Sequence, residues 1–595
     1  PLLVVPAIWP YYREGAPRTI DGALHLLRIS LLVSHLGNGM LYPRWVPEQQ
    51  LGLGYPVFNF YAPAVYYATA ILHVVGFRIF HALILVSCFS ILLAGFGMYW
   101  LAWDTFAGTN GRSAAALLAA TAYMYTPFLF NNIYVSGAFA AAMAQALLPW
   151  VFWSYRRLAW VRQPDRYVLP AVLALGGVAV SHNLTLLFLI PIILIYTLAV
   201  WWRAGASYMR LGWLGLGFLL SAVCTAFFWL PALYEQRFIA ETGYVISRTQ
   251  WLPRSFWTWD NFLDRGLFYT YTFDRPVRLG VVQLGLAVLG WFVARRRDLE
   301  WTGLLLLALA MGLFMGRWAL PIWMNAPLLV TAQFAWRLLS PLSLLLALFA
   351  GGLVCAVRPF PMRAVLLALA LAAIIMVQRP RIAWMDLFDP ETVDLSRPVV
   401  AQIELEKGIV AGGEGNSSIQ EFRPRWADVT LTLEPASVSP GTPTALSLEQ
   451  ASAFEYVGSV TSTQDTVLRF TDYFFPGWSV FLDGQRVDPI PSTNLGLLTV
   501  KIPAGAHRLR VVWAGTPIQT IGAVLSLVAW AFLAFITWRA PIPRSLTALP
   551  LACFSFGVLA SVLRPPLQPV QQSIQPLVLN DVQLVGYRAN QAEDH

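Results

Sequence analysis

Asp21, His25 and Arg28 stand at i, i+4 and i+7 in the stretch TIDGALHLLRISLLVSH (19–35). On a helix that spacing places a carboxylate, an imidazole and a guanidinium on one face. A carboxylate there can take a proton from a hydroxyl, an imidazole can share that work, and a guanidinium can hold a phosphate in a two-pronged grip. His35 falls near the same stripe, while Leu24, Leu27 and Leu31 lie on another. The pattern predicts a helix lying flat on a membrane, apolar side in lipid and titratable side toward water. Such a stripe is also what any interfacial helix shows, with or without chemistry. Glu48 follows in Arg44-Trp45-Val46-Pro47-Glu48, and Gly52, Gly54, Pro56 and Pro63 then break regular structure among Tyr55, Phe58, Phe60 and Tyr61. The whole stretch from Thr19 to Pro63 reads as an external loop that brings an acid to a pocket at the bilayer edge, with Asp21, His25 and Glu48 as catalytic candidates.

Four further candidates stand outside this loop. His182, in Ser181-His182-Asn183, ends one apolar run and begins another; it reads either as a polar group at a functional depth or as a helix-end histidine bonded to a carbonyl. Arg237 belongs to 232–278, a loop of arginines, acids and many Trp, Phe and Tyr, where each arginine can hold a lipid phosphate or pair with a neighbouring acid. Gln333 and Arg337 close RWALPIWMNAPLLVTAQFAWR (317–337), which reads as a re-entrant or surface segment leading into the next apolar run. Arg28, Arg44, His182, Arg237, Gln333 and Arg337 are therefore the candidates for substrate and phosphate.

The elements that carry these residues are membrane elements. The chain has 595 residues, 57% of them hydrophobic and 12% charged, with mean hydropathy +0.59. Soluble chains lie nearer 45–50% apolar and about 25% charged. A crossing needs about 20 apolar residues, and runs of that kind occur at 78–103, 113–130, 138–155, 167–181, 184–202, 211–231, 279–294, 301–316, 336–356, 363–378, 518–538 and 545–563. The opening PLLVVPAIWP reads as the end of one more, giving about 13 spans with the first truncated. The 167–202 region also fits a tight hairpin. The net charge of +9 is almost wholly arginine, since Lys407 and Lys501 are the two lysines. Arginines fall in alternate loops: Arg112; Arg156, Arg157, Arg162 and Arg166; Arg203 and Arg210; Arg295 to Arg297; Arg358 and Arg363; Arg539 and Arg544. That alternation places these loops in the cytoplasm and every long loop on the other side of the plasma (inner) membrane. Nothing in the charge distribution suits nucleic acid. Cys88, Cys224, Cys355 and Cys553 each sit in an apolar run and read as small buried hydrophobes. An ion-coupled transporter would need paired acids deep in the spans, and 78–378 is nearly without them.

Residues 379–517 are a different material. Charge rises and period-two alternation appears in VTLTLE (429–434), TALSLE (444–449), WSVFLDG (478–484), LLTVKI (497–502) and HRLRVVW (507–513). Asp483-Gly484 between extended runs signals a tight hairpin. An antiparallel β-sandwich is predicted, inserted before two C-terminal spans (518–563). VQLVGYRA, in the tail after 563, reads as one more strand.

Two regions carry a resemblance. One is IDGALHLLR (20–28), LYPRWVPE (41–48) and GLGYPVFNFYAP (52–63), extended by IYVSGAFAAA (133–142), SHNLT (181–185), FFWLPALYE (227–235) and QFAWRLLSP (333–341). The other is FFPGWSVFLDGQRV (474–487) with VKIPAGAHRLRV (500–511) and GTPIQTIG (515–522). Together they resemble the large bacterial multi-spanning membrane proteins related to YfhO, grouped with glycosyltransferases of the GT-C type. The resemblance implies a helical bundle at 1–378 with a catalytic external loop (10–77), an extracytoplasmic C-terminal domain, and a polyprenyl-phosphate-linked sugar as donor. It also implies that an acid of the first external loop acts as base or helps to hold a divalent cation, Mg or Mn; Asp21 is the matching position. The chain departs from the pattern at Ser136, where an arginine is expected, at Ala141, where an acid is expected, and at Gln519, where a basic residue is common. Those departures leave a second reading open, a protein that binds or moves a lipid-linked saccharide, or scaffolds an envelope complex, without catalysis.

Overall fold

The computed structural model describes residues 2–539 apart from 13–15, 18, 270, 272–277, 295–298, 356, 358, 379–383, 386–388, 407–420, 428–444, 453 and 494, and adds 577–579 and 582–585. The expected runs at 429–434 and 545–563, Arg295 to Arg297 and Cys553 lie outside the described residues.

The chain is mostly helical, with a β region near its C-terminus. Among the described residues six helices are long and apolar enough to cross a membrane: Ile79–Thr105, Arg112–Ser136, Asn183–Arg203, Ala335–Val354, Phe360–Val377 and Pro517–Arg539. A seventh arises if Tyr208–Cys224 and Ala226–Phe238, bent by 68° at their junction, count as one. Several expected spans are shorter helices, such as Val168–Ser181, Val281–Val293 and Leu299–Phe314. Broad hydrophobicity alone does not report helix length; Pro, Gly and polar breaks set it. Exposed apolar side chains on these helices, such as Ile195, Leu309, Leu369 and Val528, form their outward faces.

We label the helices that position the site α1 (Gly22–Gly37), α2 (Ala64–Val74), α3 (Ile79–Thr105), α4 (Arg112–Met124), α5 (Phe139–Trp160), α6 (Val168–Ser181), α7 (Asn183–Arg203), α8 (Tyr208–Cys224), α9 (Ala226–Glu235), α10 (Val281–Val293), α11 (Leu299–Phe314), α12 (Leu339–Gly351), α13 (Phe360–Val377), α14 (Arg397–Glu406) and α15 (Pro517–Arg539). The arginine-bearing turns gather at one end of the bundle. Asp104 at the end of α3 pairs with Arg157 of α5 and Arg112 of α4, and Glu300 of α11 pairs with Arg156 of α5 and Arg203 of α7. Because α4 runs away from that end and α7 runs toward it, Asn131 and His182 lie at the opposite end.

Among the described residues the β region has two five-stranded sheets. With β1 (Ala445–Ser452), β2 (Glu455–Ser462), β3 (Thr466–Tyr473), β4 (Trp478–Leu482), β5 (Gln485–Val487), β6 (Ile490–Pro491), β7 (Leu497–Ile502), β8 (Gly505–Trp513), β9 (Leu577–Leu579) and β10 (Val582–Val585), the orders are β1-β2-β8-β4-β5 and β6-β7-β3-β10-β9. Alternating residues such as Val460, Val480, Leu509 and Val511 from the first sheet and Leu468, Phe470 and Val500 from the second share one buried cluster, as two packed sheets require. Asp483 and Gly484 have φ of 51° and 81°, the left-handed pair that a two-residue hairpin turn needs. The expected strand in the tail is β10, parallel to β3.

The first loop is wedged between bundle and sheets. Trp45, fully buried, stacks on Trp513 of β8 at 5.1 Å between centroids and meets Phe475 at 5.9 Å. Gly54, at φ 87°, lies so close beneath it that a Cβ there would come within 2.3 Å of the indole. Glu404 of α14 accepts the backbone N–H groups of Gln50 (3.1 Å) and Leu51 (2.7 Å), both in left-handed conformation at φ 59°. Helix α1 is consequently not an interfacial helix. His25, Arg28 and His35 are buried together with Leu24, Leu27 and Leu31, and Val400 and Ile403 of α14 join the same apolar cluster. Part of that cover comes from more than 360 positions downstream, a contact that helical periodicity cannot report.

Candidate functional site

At the end opposite the arginine turns lies a cavity of about 2620 Å³. One part of its wall is polar and charged: Asp21, Asn131, Asn132, His182, Arg337 and Glu421. The other part is apolar: Leu187, Ile190 and Pro191 on α7, Phe228 on α9, Met311 and Phe314 on α11. From His182 to Ile192 the lining descends about 15 Å along α7 at 1.5 Å per residue. The cavity is thus amphipathic along its length.

Asp21 is placed by a backbone seam. Its N–H donates to the Ser136 carbonyl (2.9 Å), and Ile20 N–H donates to Val135 O (3.0 Å). The seam requires glycine at 137, which has φ 69° and where a Cβ would fall 2.7 Å from Thr19 Oγ1 and 2.9 Å from Gly22 N. The Asp21 side chain precedes α1 without capping it, which leaves the carboxylate turned to the cavity it lines. Burial first, and the Glu421 charge second, push its pKa up to about 7, against the pull of Arg28 and Arg337. A carboxylate tuned to neutrality suits a general base.

Arg337 lines the cavity too. Its Nη2 donates to Gln333 Oε1 (2.8 Å), its Nη1 is buried with no hydrogen-bond partner among the described residues, and its guanidinium rests against the Phe334 ring at 5.3 Å. Gln333 holds φ 64°, a left-handed backbone that costs a non-glycine residue about 1–3 kcal/mol. Its Nε2 donates to Glu421 Oε1 at 2.6 Å, so one amide orients an acid and a guanidinium together. Phe334 and Trp336 stack at 4.5 Å and 10°, with Trp251 against Phe334 at 5.8 Å; all three rings reach the wall. Arg237 is exposed at the wall and lies over Tyr234 (4.0 Å) and Phe238 (4.8 Å), with no ion pair to an acid among the described residues. His182 lines the cavity while accepting the Thr185 N–H (3.1 Å) as the N-cap of α7; the helix-end role is the one its contacts show, with the amide rather than a carbonyl as its partner.

The other candidates lie off the wall. His25 Nδ1 is tied to Tyr66 Oη at 2.7 Å among Tyr61, Tyr66 and Phe139, and burial pushes its pKa down to about 3, leaving it neutral. Arg28 sits behind Tyr61, 5.0 Å from the ring centroid, and is wholly buried beside Tyr66. It acts on the cavity by its charge, not by contact. Glu48 is bound to His35 Nε2 at 3.0 Å, under Phe454 of the β region, which meets the His35 ring at 5.2 Å. Arg44 donates from Nη1 to Asn59 Oδ1 (3.1 Å) and from Nη2 to the Phe227 carbonyl, and so fastens the loop to α9. The acid that the first loop brings to the pocket is therefore Asp21 and not Glu48. Sequence reasoning missed Glu421, because it stands between a Gly/Ser/Asn-rich stretch and the first strand, with no periodicity to mark it. Its one signal is the dense EFRPRW (421–426) within the region 379–517 predicted as a sandwich. Among the described residues no three His, Cys, Asp or Glu side chains come together as a metal set.

Residues 58–384 match the family described as "6-pyruvoyl-tetrahydropterin synthase related domain; membrane protein". The chain belongs to this membrane-protein family. A protein of Lactococcus lactis subsp. cremoris (strain MG1363), described as uncharacterized, is 26% identical over 240 residues, covering 39% of this chain and 38% of that protein. Among solved structures, arabinofuranosyltransferase AftD from Mycobacteria is similar in two classes of a mutant form. The TM-scores are 0.39 and 0.38 at 16% identity, covering 64% of this chain and 28% and 27% of AftD. The chain thus spans well under half the length of each of these relatives.

Proposed function

We propose that this chain is a membrane glycosyltransferase that moves a sugar from a polyprenyl-phosphate-linked donor to an acceptor hydroxyl on the extracytoplasmic side of the plasma membrane. The observation that carries this reading is the cavity itself, which joins a carboxylate, the Arg337 guanidinium and an apolar trough in one space. A lipid-linked sugar phosphate has the same three parts: a polyol, an anion and a hydrocarbon chain. Its tail lies along α7, α9 and α11, and its phosphate meets Arg337, with Arg237 further along the wall.

In the transfer step Asp21 accepts the acceptor's O–H proton as that oxygen bonds to the anomeric carbon. The bond from the anomeric carbon to the phosphate oxygen breaks, and its electron pair leaves with the lipid phosphate. Arg337 Nη1 stabilises that developing charge, helped at a distance by Arg28. In nanodiscs supplied with undecaprenyl-phosphate glucose or mannose, Asp21→Asn should lose transfer by about 10²- to 10⁴-fold while its unfolding temperature does not fall. Unchanged turnover removes Asp21 from the chemistry.

One observation favours the second reading, a protein that holds or moves a lipid-linked saccharide without transferring it. Ser136 and Ala141, two of the three positions that depart from the resemblance, both line the cavity. Retention of polyprenyl phosphate fits either reading; formation of a glycosylated product separates them.

A further inference from the structure

Asp21 is not the only acid turned toward the cavity. Glu421 reaches the same wall from the segment that leads into the sandwich. Its Oε1 is fixed by Gln333 Nε2 at 2.6 Å, and no hydrogen bond from the described residues reaches its Oε2. Gln333 is itself held in strained backbone, and it also takes Arg337. The local chain has thus kept an unfavourable conformation in order to aim one amide at both charges. Beside this pair stand the stacked rings of Phe334 and Trp336 with Trp251. A planar carboxylate, a planar amide and a flat aromatic wall are the groups that hold a ring of hydroxyls: oxygens for the O–H donors and ring faces for the C–H side. Glu421 and Asp21 are near enough for the charge of one to raise the proton affinity of the other.

We propose that Glu421 holds the acceptor: its free carboxylate oxygen takes hydrogen bonds from hydroxyls of a sugar or similar polyol that lies between Glu421, Asp21 and the Trp251–Phe334–Trp336 wall. Gln333 positions Glu421 for this and links it to the arginine on the donor phosphate. The inference rests on the transferase reading for its catalytic consequence, but the binding it describes is readable without turnover.

The test uses the full chain in nanodiscs, with undecaprenyl-phosphate glucose or mannose as donor and a panel of methyl glycosides as acceptor. Glu421→Gln keeps size and the bond from Gln333 while removing the charge. It should raise the acceptor KM about 10- to 100-fold, the worth of a charge-assisted hydrogen bond, and leave the donor KM within about twofold, since the lipid phosphate is held elsewhere. Gln333→Gly suits the left-handed backbone and removes the amide; it should raise both constants. An unchanged acceptor KM in Glu421→Gln overturns the inference while leaving the transferase reading intact. So does a parallel rise in both constants with a lowered unfolding temperature, which marks a mere structural clasp. If the wild type forms no product, the transferase reading falls, and saturation-transfer NMR of the methyl glycosides decides the rest. Signal lost in Glu421→Gln supports the polyol site, and signal equal to wild type, or none in either, overturns it.

Discussion

At the scale of single residues, position decides role more than chemistry does. Asp21 and Glu48 are both acids of the first loop, yet one faces a cavity and the other is spent on His35. Because the Asp21 carboxyl is pushed up to about 7, and a base must be ionised, transfer should rise with pH through about 7 and level off above it. A pH–rate profile checks this, and Asp21→Asn should leave only a flat residue of activity. Glu48→Gln should keep the wild-type rate, since nothing in the cavity touches it. It should lower stability by about 1–3 kcal/mol, because it weakens the partner of a buried histidine; thermal unfolding beside the transfer assay separates these effects.

At the scale of elements, the first loop is held by packing rather than by regular structure. Trp45 plugs it into the sheet cluster of Phe475, Trp478 and Trp513, and Trp45→Ala should cost about 3–5 kcal/mol, read as a fall in unfolding temperature. Glu404 is the second fastening. Burial pushes its carboxyl up to about 7, with the Gln50 and Leu51 amides opposing. Between the ordinary glutamate range and that value the folded chain keeps a proton that the unfolded chain has lost. Stability therefore falls as pH rises through that window and levels off near 7. Asp21 adds a fall of the same sign. Unfolding temperatures taken from pH 4.5 to 8 should show it, and Glu404→Gln should reduce the slope.

At the scale of the whole molecule, two ends are chemically unlike. One gathers Asp104, Glu300 and the arginines that pair with them; the other carries the cavity and is overlaid by the β region. If the arginine end is cytoplasmic, a cysteine at exposed Asn110, between α3 and α4, should be labelled by an impermeant maleimide only in opened cells. A cysteine at exposed Arg486, on β5, should be labelled in intact ones. The same pattern inverted would put the site in the cytoplasm and remove the extracytoplasmic donor from the reading.

The sequence by itself determined the class of the molecule: the apolar runs, the alternation of arginines, the change to period-two strands and the Asp483-Gly484 turn are local patterns with local causes. It also picked out Asp21, Arg337 and Gln333, because a charge or amide beside an apolar run is conspicuous wherever it points. Only the tertiary structure decided that α1 is buried on both sides, that Tyr61 screens Arg28, that Glu48 belongs to His35, and that Glu421 comes to Asp21 across 400 residues of chain. Each of those outcomes depends on which other segment meets a side chain, and burial by another segment leaves no period in the sequence around the residue that it covers.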